Sequence, residues 1–481
     1  MPATMAGFAR QFGPFIDVRK YGATGDGVTD NTAAIQTAIN AAGPSALGMA
    51  GTVFFPPGIY MVSVPLTVGP FNPSSTVPVS YPSIIGLNAN GLIGDGDSVN
   101  GSSPGAVTLR ATSSFPVNEY LLTVNAPNNN VAPAGAWVKG LSIDCNNQAA
   151  GVRLYQPRQF HCEDISIAHA NPPGGYGAWD MEQYNASAPW RNYFNHINIQ
   201  YSTADGINHA MDDFAVYYSP TVQNVTRYGF NLQGGSVLVD NPNYYQGAGA
   251  VNVCAIAANV GACSLLVRGF NFPGSGAGST GGPNNAVQLQ GTGGELHLPA
   301  MFEDCIFFNG PPSGNSEANA AMVLIQDSAY PVPALFRNCT FIGGPNMSDW
   351  AYAVAGTPAG DLITFEGCKF VGAPAVTPFH DLTGNDLFRV RNCEGFNPVG
   401  SVTVAVPASG TVQAAVPYDQ YLYITASTST VAVNVTNAAG TSQTIATIPA
   451  SAPMVPVFIP AGSSWSLTYT TAPTALTAQG L

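Results

Sequence analysis

The chain has 481 residues, 53 of them Gly and 39 Pro, with charged residues at only 9%. That balance describes many short strands and tight turns rather than helices. A formal net charge of −13, from 14 Lys plus Arg against 27 Asp plus Glu, disfavours nucleic acid and anionic membrane as partners, since both require a positive face.

Residues 1–14 read as a short arm, and the opening MPATMAGFARQFG lacks the apolar core of a secretory signal. No apolar run reaches the length of about 18 residues needed to span a membrane. The segment IDVRKYGATGDGVTDNTAAIQTAINAA at 16–42 reads as a strand, a Gly-Asp-Gly turn and a helix over 30–42. Asp30, Asn31 or Thr32 serves as its cap, and Ile35, Ala38, Ile39 and Ala42 form its apolar face. GTVFFPPGIYMV at 51–62 follows as a strand, a Pro-Pro-Gly turn and a strand.

From 138 onward one phrase recurs: VKGLSI at 138–143, CEDISI at 162–167, FNHINI at 194–199, VQNVTR at 222–227, VRGFNF at 267–272, FEDCIF at 302–307, FRNCTF at 336–341, FEGCKF at 365–370 and VRNCEGF at 390–396. Apolar residues alternate within it as in a strand, and its third position is Asn, Asp, Gly or His, residues suited to positive φ. Such a period, with variable lengths between phrases, predicts a solenoid whose coils each hold a strand, a one-residue corner and a second strand. The corner assigns Asp164, His196, Asn224, Asp304, Asn338 and Asn392 to turn geometry rather than chemistry. Cys305, Cys339, Cys368 and Cys393 share one frame position and are expected to stack inward as reduced thiols. Cys254 and Cys263 have the strongest claim to bridge, if any pair does.

A second element follows the phrases, a small residue and then alternating apolar positions: GVRL at 151–154, GAWDM at 177–181, GINHA at 206–210, GFNL at 229–232, AVQL at 286–289 and AMVL at 321–324. It is assigned to the other long sheet, where stacking about 4.8 Å apart lines up outward side chains. The Tyr-, Gly- and Asn-rich stretch 233–285 reads as surface loops, where binding commonly resides. In 401–470 Asp419 is the sole acidic residue, and short alternating runs describe an antiparallel β-sandwich. Either a trimerisation cap or a sugar-binding module suits it. The expected organisation is an arm at 1–14, a parallel β-helix at 15–398 and a sandwich at 399–481.

DVRKYGATGDGVTDNTAAIQ followed by FFPPGIY, about 45 residues in all, resembles the N-terminal signature of the pectate-lyase-like, right-handed parallel β-helix superfamily. That group includes polygalacturonase-like hydrolases, polysaccharide lyases and many bacteriophage tailspikes. The resemblance implies an all-β chain with a helix over its N-terminal end. It selects no reaction, because one scaffold hosts several chemistries.

The densest ionisable cluster lies on the second element. If Trp179 and Met181 point inward, Asp180 and Glu182 point out. The next coil supplies Asp205, His209, Asp212 and Asp213, with Arg153 one coil before and Arg227 one coil after. Spacings of about 5 Å between adjacent coils and about 10 Å between alternate ones bracket the carboxylate pairs of retaining and inverting glycosidases. The expectation is that Asp180 or Glu182 protonates the glycosidic oxygen while Asp205, Asp212 or Asp213 activates water, crowding having raised the acid's pKa. Arg153, His209, Arg227, Tyr184 and Trp190 are expected to bind substrate, with Tyr217, Tyr218, Tyr244 and Tyr245 as further stacking candidates. ADGINHAMDD is similar to a polygalacturonase pattern, but Asp212 follows Asp205 by seven residues, too few for a coil. A lyase would instead use Arg153, Arg227 and a Ca²⁺ held by Asp212 and Asp213. Hydrolysis without a cofactor is favoured.

The reading is a glycan-binding and glycan-cleaving, tailspike-like depolymerase, a homotrimer on a phage tail or baseplate, located on the virion or outside the cell. The alternatives are a cellular polysaccharide hydrolase or lyase and a non-catalytic fibre.

Overall fold

A computed structural model describes residues 15–44, 50–69, 79–86, 107–124, 133–182, 191–210, 214–245, 254–259, 263–272, 285–291, 299–309, 321–325, 332–343, 349–353, 363–371, 379–381, 387–394, 402–415, 419–437 and 439–480. In it the recurring phrase turns as its third residue dictates. Backbone φ is positive at Gly140 (66°), Asp164 (56°), His196 (51°), Gly269 (60°), Asp304 (54°), Asn338 (53°), Gly367 (62°) and Asn392 (51°). Strands before the corner stack in parallel register, as in Glu303, Arg337, Glu366 and Arg391. Strands after it form a second ladder through Ile306, Thr340 and Lys369. Both ladders belong to one 22-stranded sheet, and an 11-stranded parallel sheet runs from Leu66–Val68 to Phe379–Asp381. The arrangement is a parallel β-helix.

One phrase is out of frame. The corner column passes from His196 to Ser219 (46°) and Asn241 (52°) before reaching Gly269. Asn224 also has positive φ (51°), but it lies level with His169 (53°) and Tyr201 (57°) at a different bend. Pro220 and Pro242 stand where the other phrases place an apolar residue after the corner, which hides these two coils from an apolar pattern.

Register stacks like side chains in the core. Phe302, Phe336 and Phe365 form one column, with ring centroids 4.7 and 4.9 Å apart and planes within 9°. Phe307, Phe341 and Phe370 form another at 5.0 and 5.1 Å. Ring pairs at such separations add to the burial of their area. All eight cysteines are free thiols. Cys254 lies on the 11-stranded sheet and Cys263 on the 22-stranded one, so they do not bridge.

The helix spans Thr32–Ala41 and buries Ile35, Ala38 and Ile39, with Ala42 just beyond, in the same core as Val53, Phe55 and Val62. Its N-cap is Asn31, yet that side chain accepts from the Thr24 backbone N–H at 2.6 Å. Asp30 instead accepts from the Thr32 N–H at 3.0 Å. The Gln36 amide then donates to Thr67 O at 2.8 Å and accepts from Thr67 N–H at 2.9 Å. It thereby satisfies backbone groups of the first strand of the 11-stranded sheet, an edge with no further strand beside it among the described residues.

Residues 402–480 form two antiparallel sheets with their own core of Leu422, Ile424, Val431, Val433, Ile459, Trp465 and Leu467. The four-stranded sheet comprises Val402–Thr403, Ala475–Gly480, Gln420–Thr425 and Val455–Ile459; the other holds Ser442–Ile448, Val431–Thr436 and Ser464–Thr468. Ser442–Ile448 and Ala475–Gly480 are strands the short alternating runs did not reveal.

Candidate functional site

The second element builds the 11-stranded sheet, and its leading small residue answers a close approach. A Cβ at Gly151 would meet the Ala178 carbonyl oxygen at 2.2 Å, and one at Gly206 would meet that of Gly229 at 2.7 Å. Trp179 and Met181 are fully buried, so Asp180 and Glu182 face outward as expected. Register then sets Arg153, Asp180, Asn208 and Asn231 in one outward row and Tyr155, Glu182 and Ala210 in the next.

Facing outward did not leave Asp180 exposed. Asp180 is 0% exposed; Arg153 Nε donates to its Oδ2 at 2.7 Å, and Asn208 Nδ2 donates to its Oδ1 at 2.7 Å. Asp205 is also 0% exposed. Its Oδ1 accepts from Arg227 Nε at 2.5 Å and from the Tyr228 N–H at 3.2 Å. Its Oδ2 accepts from Arg227 Nη2 and, at 2.8 Å, from Asn231 Nδ2. Asn231 Nδ2 also reaches Asn208 Oδ1 at 3.1 Å. One continuous chain therefore runs Arg153, Asp180, Asn208, Asn231, Asp205, Arg227. Tyr120 and Tyr176 cover Arg153, their ring centroids 4.0 and 4.7 Å from its Cζ.

Burial pushes the Asp180 carboxyl above the usual range, with the Arg153 charge opposing it. Burial likewise raises Asp205 against the hydrogen bonds of Arg227. Both carboxylates are fully buried and each of their four oxygens already has a donor, so in this arrangement neither aspartate is open to a ligand. Glu182 differs. Its side chain is 21% exposed and is held by Arg153 Nη2 at 3.4 Å. Burial, then the neighbouring Asp180 charge, raises its pKa. Tyr155, which accepts from Arg153 Nη1 at 2.9 Å, is pushed up to about 12, chiefly by burial.

Several expectations are corrected. His209 is fully buried, not on the outward face; its Nδ1 lies 3.1 Å from the Tyr217 hydroxyl, which donates to Met181 Sδ at 3.0 Å. Register turns Asn208 outward and His209 inward. Tyr217 and Tyr244 are core residues, while Tyr218 and Tyr245 are exposed on the other sheet. Tyr184, Trp190, Asp212 and Asp213 lie outside the described residues, and so does the pair to which the lyase reading gave Ca²⁺. Asn208, Asn231, Tyr120 and Tyr176 were missed. The signal for the asparagines was present, since each follows an inward apolar residue in GIN and GFN as Asp180 follows Trp179. Among the described residues no group of three or more His, Cys, Asp and Glu is placed to hold a metal ion. No described helix is long and apolar enough to cross a membrane.

The fold is a parallel β-helix. Residues 15–139 match the family described as Rhamnogalacturonase A/epimerase, pectate lyase-like. Over 87 residues, 17% of this chain, it is 40% identical to the non-secreted LysM effector LysM15 of Penicillium expansum, and it spans only 6% of that protein's length. Among solved structures it is similar to ORF18 of Geobacillus virus E2, at 13% identity and a TM-score of 0.48, over 99% of this chain and 78% of that one. It is also similar to the A-module of mannuronan C-5 epimerase AlgE6 from Azotobacter vinelandii, at 14% identity and a TM-score of 0.48, over 79% and 98% of the two chains. The tailspike of Acinetobacter baumannii phage AM24 matches at 12% identity and a TM-score of 0.41, over 98% and 82%.

Proposed function

We propose that the chain binds and cleaves a polysaccharide along the outer face of the 11-stranded sheet, with Glu182 as its proton-transfer group. One observation carries this reading. Tyr155 and Glu182 begin an outward row that, past Ala210, Gln233, Asn259 and Gln290 continue on successive coils. Amides both donate and accept, as sugar hydroxyls do, and the coil spacing of about 4.8 Å repeats that chemistry along a line. A carboxyl with a raised pKa keeps its proton nearer neutral pH and suits general acid catalysis. The buried aspartates hold the two arginines and two asparagines in place, and Asp212 or Asp213 supplies the second carboxylate of a hydrolysis. The rhamnogalacturonase and epimerase family matched by residues 15–139 favours a polysaccharide substrate. A homotrimer on a phage tail belongs to the same proposal, since side-by-side packing would cover solenoid faces.

The test is incubation with capsular, lipopolysaccharide and plant glycans, read by reducing ends and by absorbance of unsaturated uronates. Reducing ends without unsaturation, lost in Glu182→Gln, are expected. Full activity in that variant removes Glu182 from the chemistry, and a monomer by light scattering sinks the trimer.

A further inference from the structure

We propose a second saccharide site, separate from the Glu182 face, on the outer surface of the four-stranded sheet of the C-terminal sandwich. Leu422, Ile424, Val457 and Ile459 point into the sandwich core. Alternation therefore turns Tyr421, Tyr423 and Phe458 to the opposite face of the same sheet. The Tyr421 ring lies 5.6 Å from Phe458 and 6.3 Å from Tyr423, with interplanar angles of 61° and 45°. Phe458 is 41% exposed. Neither tyrosine hydroxyl has a hydrogen-bond partner among the described residues.

The chemistry of this face selects its occupant. Residues 402–480 contain no Lys, Arg, His or Glu, and their one Asp, Asp419, accepts from the Ala461 N–H at 2.7 Å. A charged ligand finds no counter-ion here; a neutral one loses nothing. Ring faces carry the negative part of an aromatic quadrupole and attract the weakly positive C–H face of a sugar ring, while phenolic hydroxyls meet sugar hydroxyls. An added peptide strand is disfavoured, because the neighbouring edge strand Val455–Ile459 contains Pro456, which has no N–H to donate. The occupant is a neutral glycan, bound by stacking.

Affinity electrophoresis of the full chain through gels containing mixed-linkage glucan, galactomannan or amylose tests this. Wild type is expected to be retarded in at least one gel. Tyr421→Ala with Tyr423→Ala and Phe458→Ala should weaken that retardation at least tenfold, while Glu182→Gln leaves it intact. Tyr421→Phe with Tyr423→Phe keeps the rings and should lose only part of it, so a poorly folding triple variant does not shield the idea. Retardation in none of the gels, full retardation in the aromatic variants, or a change of oligomer mass in them overturns the proposal. Loss in Glu182→Gln alone would place the bound glycan on the β-helix instead.

Discussion

Asn208 and Asp180 sit side by side on adjacent coils, joined at 2.7 Å from Nδ2 to Oδ1. That bond ties two arginine and carboxylate pairs into one buried chain. Where each acceptor already has its donor, a polar network specifies a single arrangement, and removing one member exposes the desolvation its partners have undergone.

Arg153→Met should therefore be severe, because it leaves the fully buried Asp180 without its cation. A loss of about 3–5 kcal/mol is expected. Asn208→Ala, which removes one donor, should cost about 1–3 kcal/mol. Denaturant midpoints at neutral pH check both, and the double variant should cost less than the sum because the two residues share Asp180.

Glu182 gives a pH signature. Burial and the Asp180 charge raise its carboxyl above the ordinary value of 4.5. The folded chain then holds this proton more tightly than the unfolded one, so Glu182 contributes stability below pH 4.5 that is lost as pH rises through the folded value. Glu182→Gln stays neutral throughout. It should match wild type at pH 4 and become relatively more stable toward pH 8, as followed by unfolding midpoints; a wild-type advantage growing with pH would contradict this.

The corner column predicts which histidine is replaceable. His196 has φ of 51°, and its Nδ1 lies 3.2 Å from Asp164 Oδ1 on the preceding coil. His196→Gly should be nearly neutral in stability and in the proposed glycan cleavage. His196→Val, a β-branched residue in a left-handed conformation, should cost about 1–2 kcal/mol or more. Equal losses of activity in both would restore His196 to the chemistry.

The junction between β-helix and sandwich rests on Gly462. Its φ is 71°, and a Cβ there would lie 1.8 Å from Arg389 Cζ, on a side chain only 3% exposed. Gly462→Ala should cost about 3 kcal/mol from strain and overpacking together. Calorimetry should show part of this recovered when Arg389→Ala is added, since the clash then has room to relax.

Much of the fold was legible because it is written in short-range terms. A corner needs one residue tolerant of positive φ between two alternating strands, and Asp304, Asn338 and Asn392 satisfy that wherever the coil falls. Ser219 and Asn241 escaped because proline replaced the apolar residue after the corner. The alternation around Trp179 and Met181 also placed Asp180 and Glu182 outward. His209 was misread, since one residue of register decides between the ligand face and the core.

By itself the amino-acid sequence determined the coil, its corner, the inward column of Cys, and the concentration of carboxylates near 180–213, all properties of local backbone preference and period. Only the tertiary structure decided which of those carboxylates are buried and what holds them. The partners of Asp180 and Asp205 come from 22 to 28 residues away, brought alongside by register between coils of unequal length. Asp180 is fully buried between Arg153 and Asn208, whereas Glu182 beside it keeps its side chain 21% exposed. The residue types alone do not distinguish these environments, because the distinction lies in which carboxylates are buried and partnered after the coils have stacked.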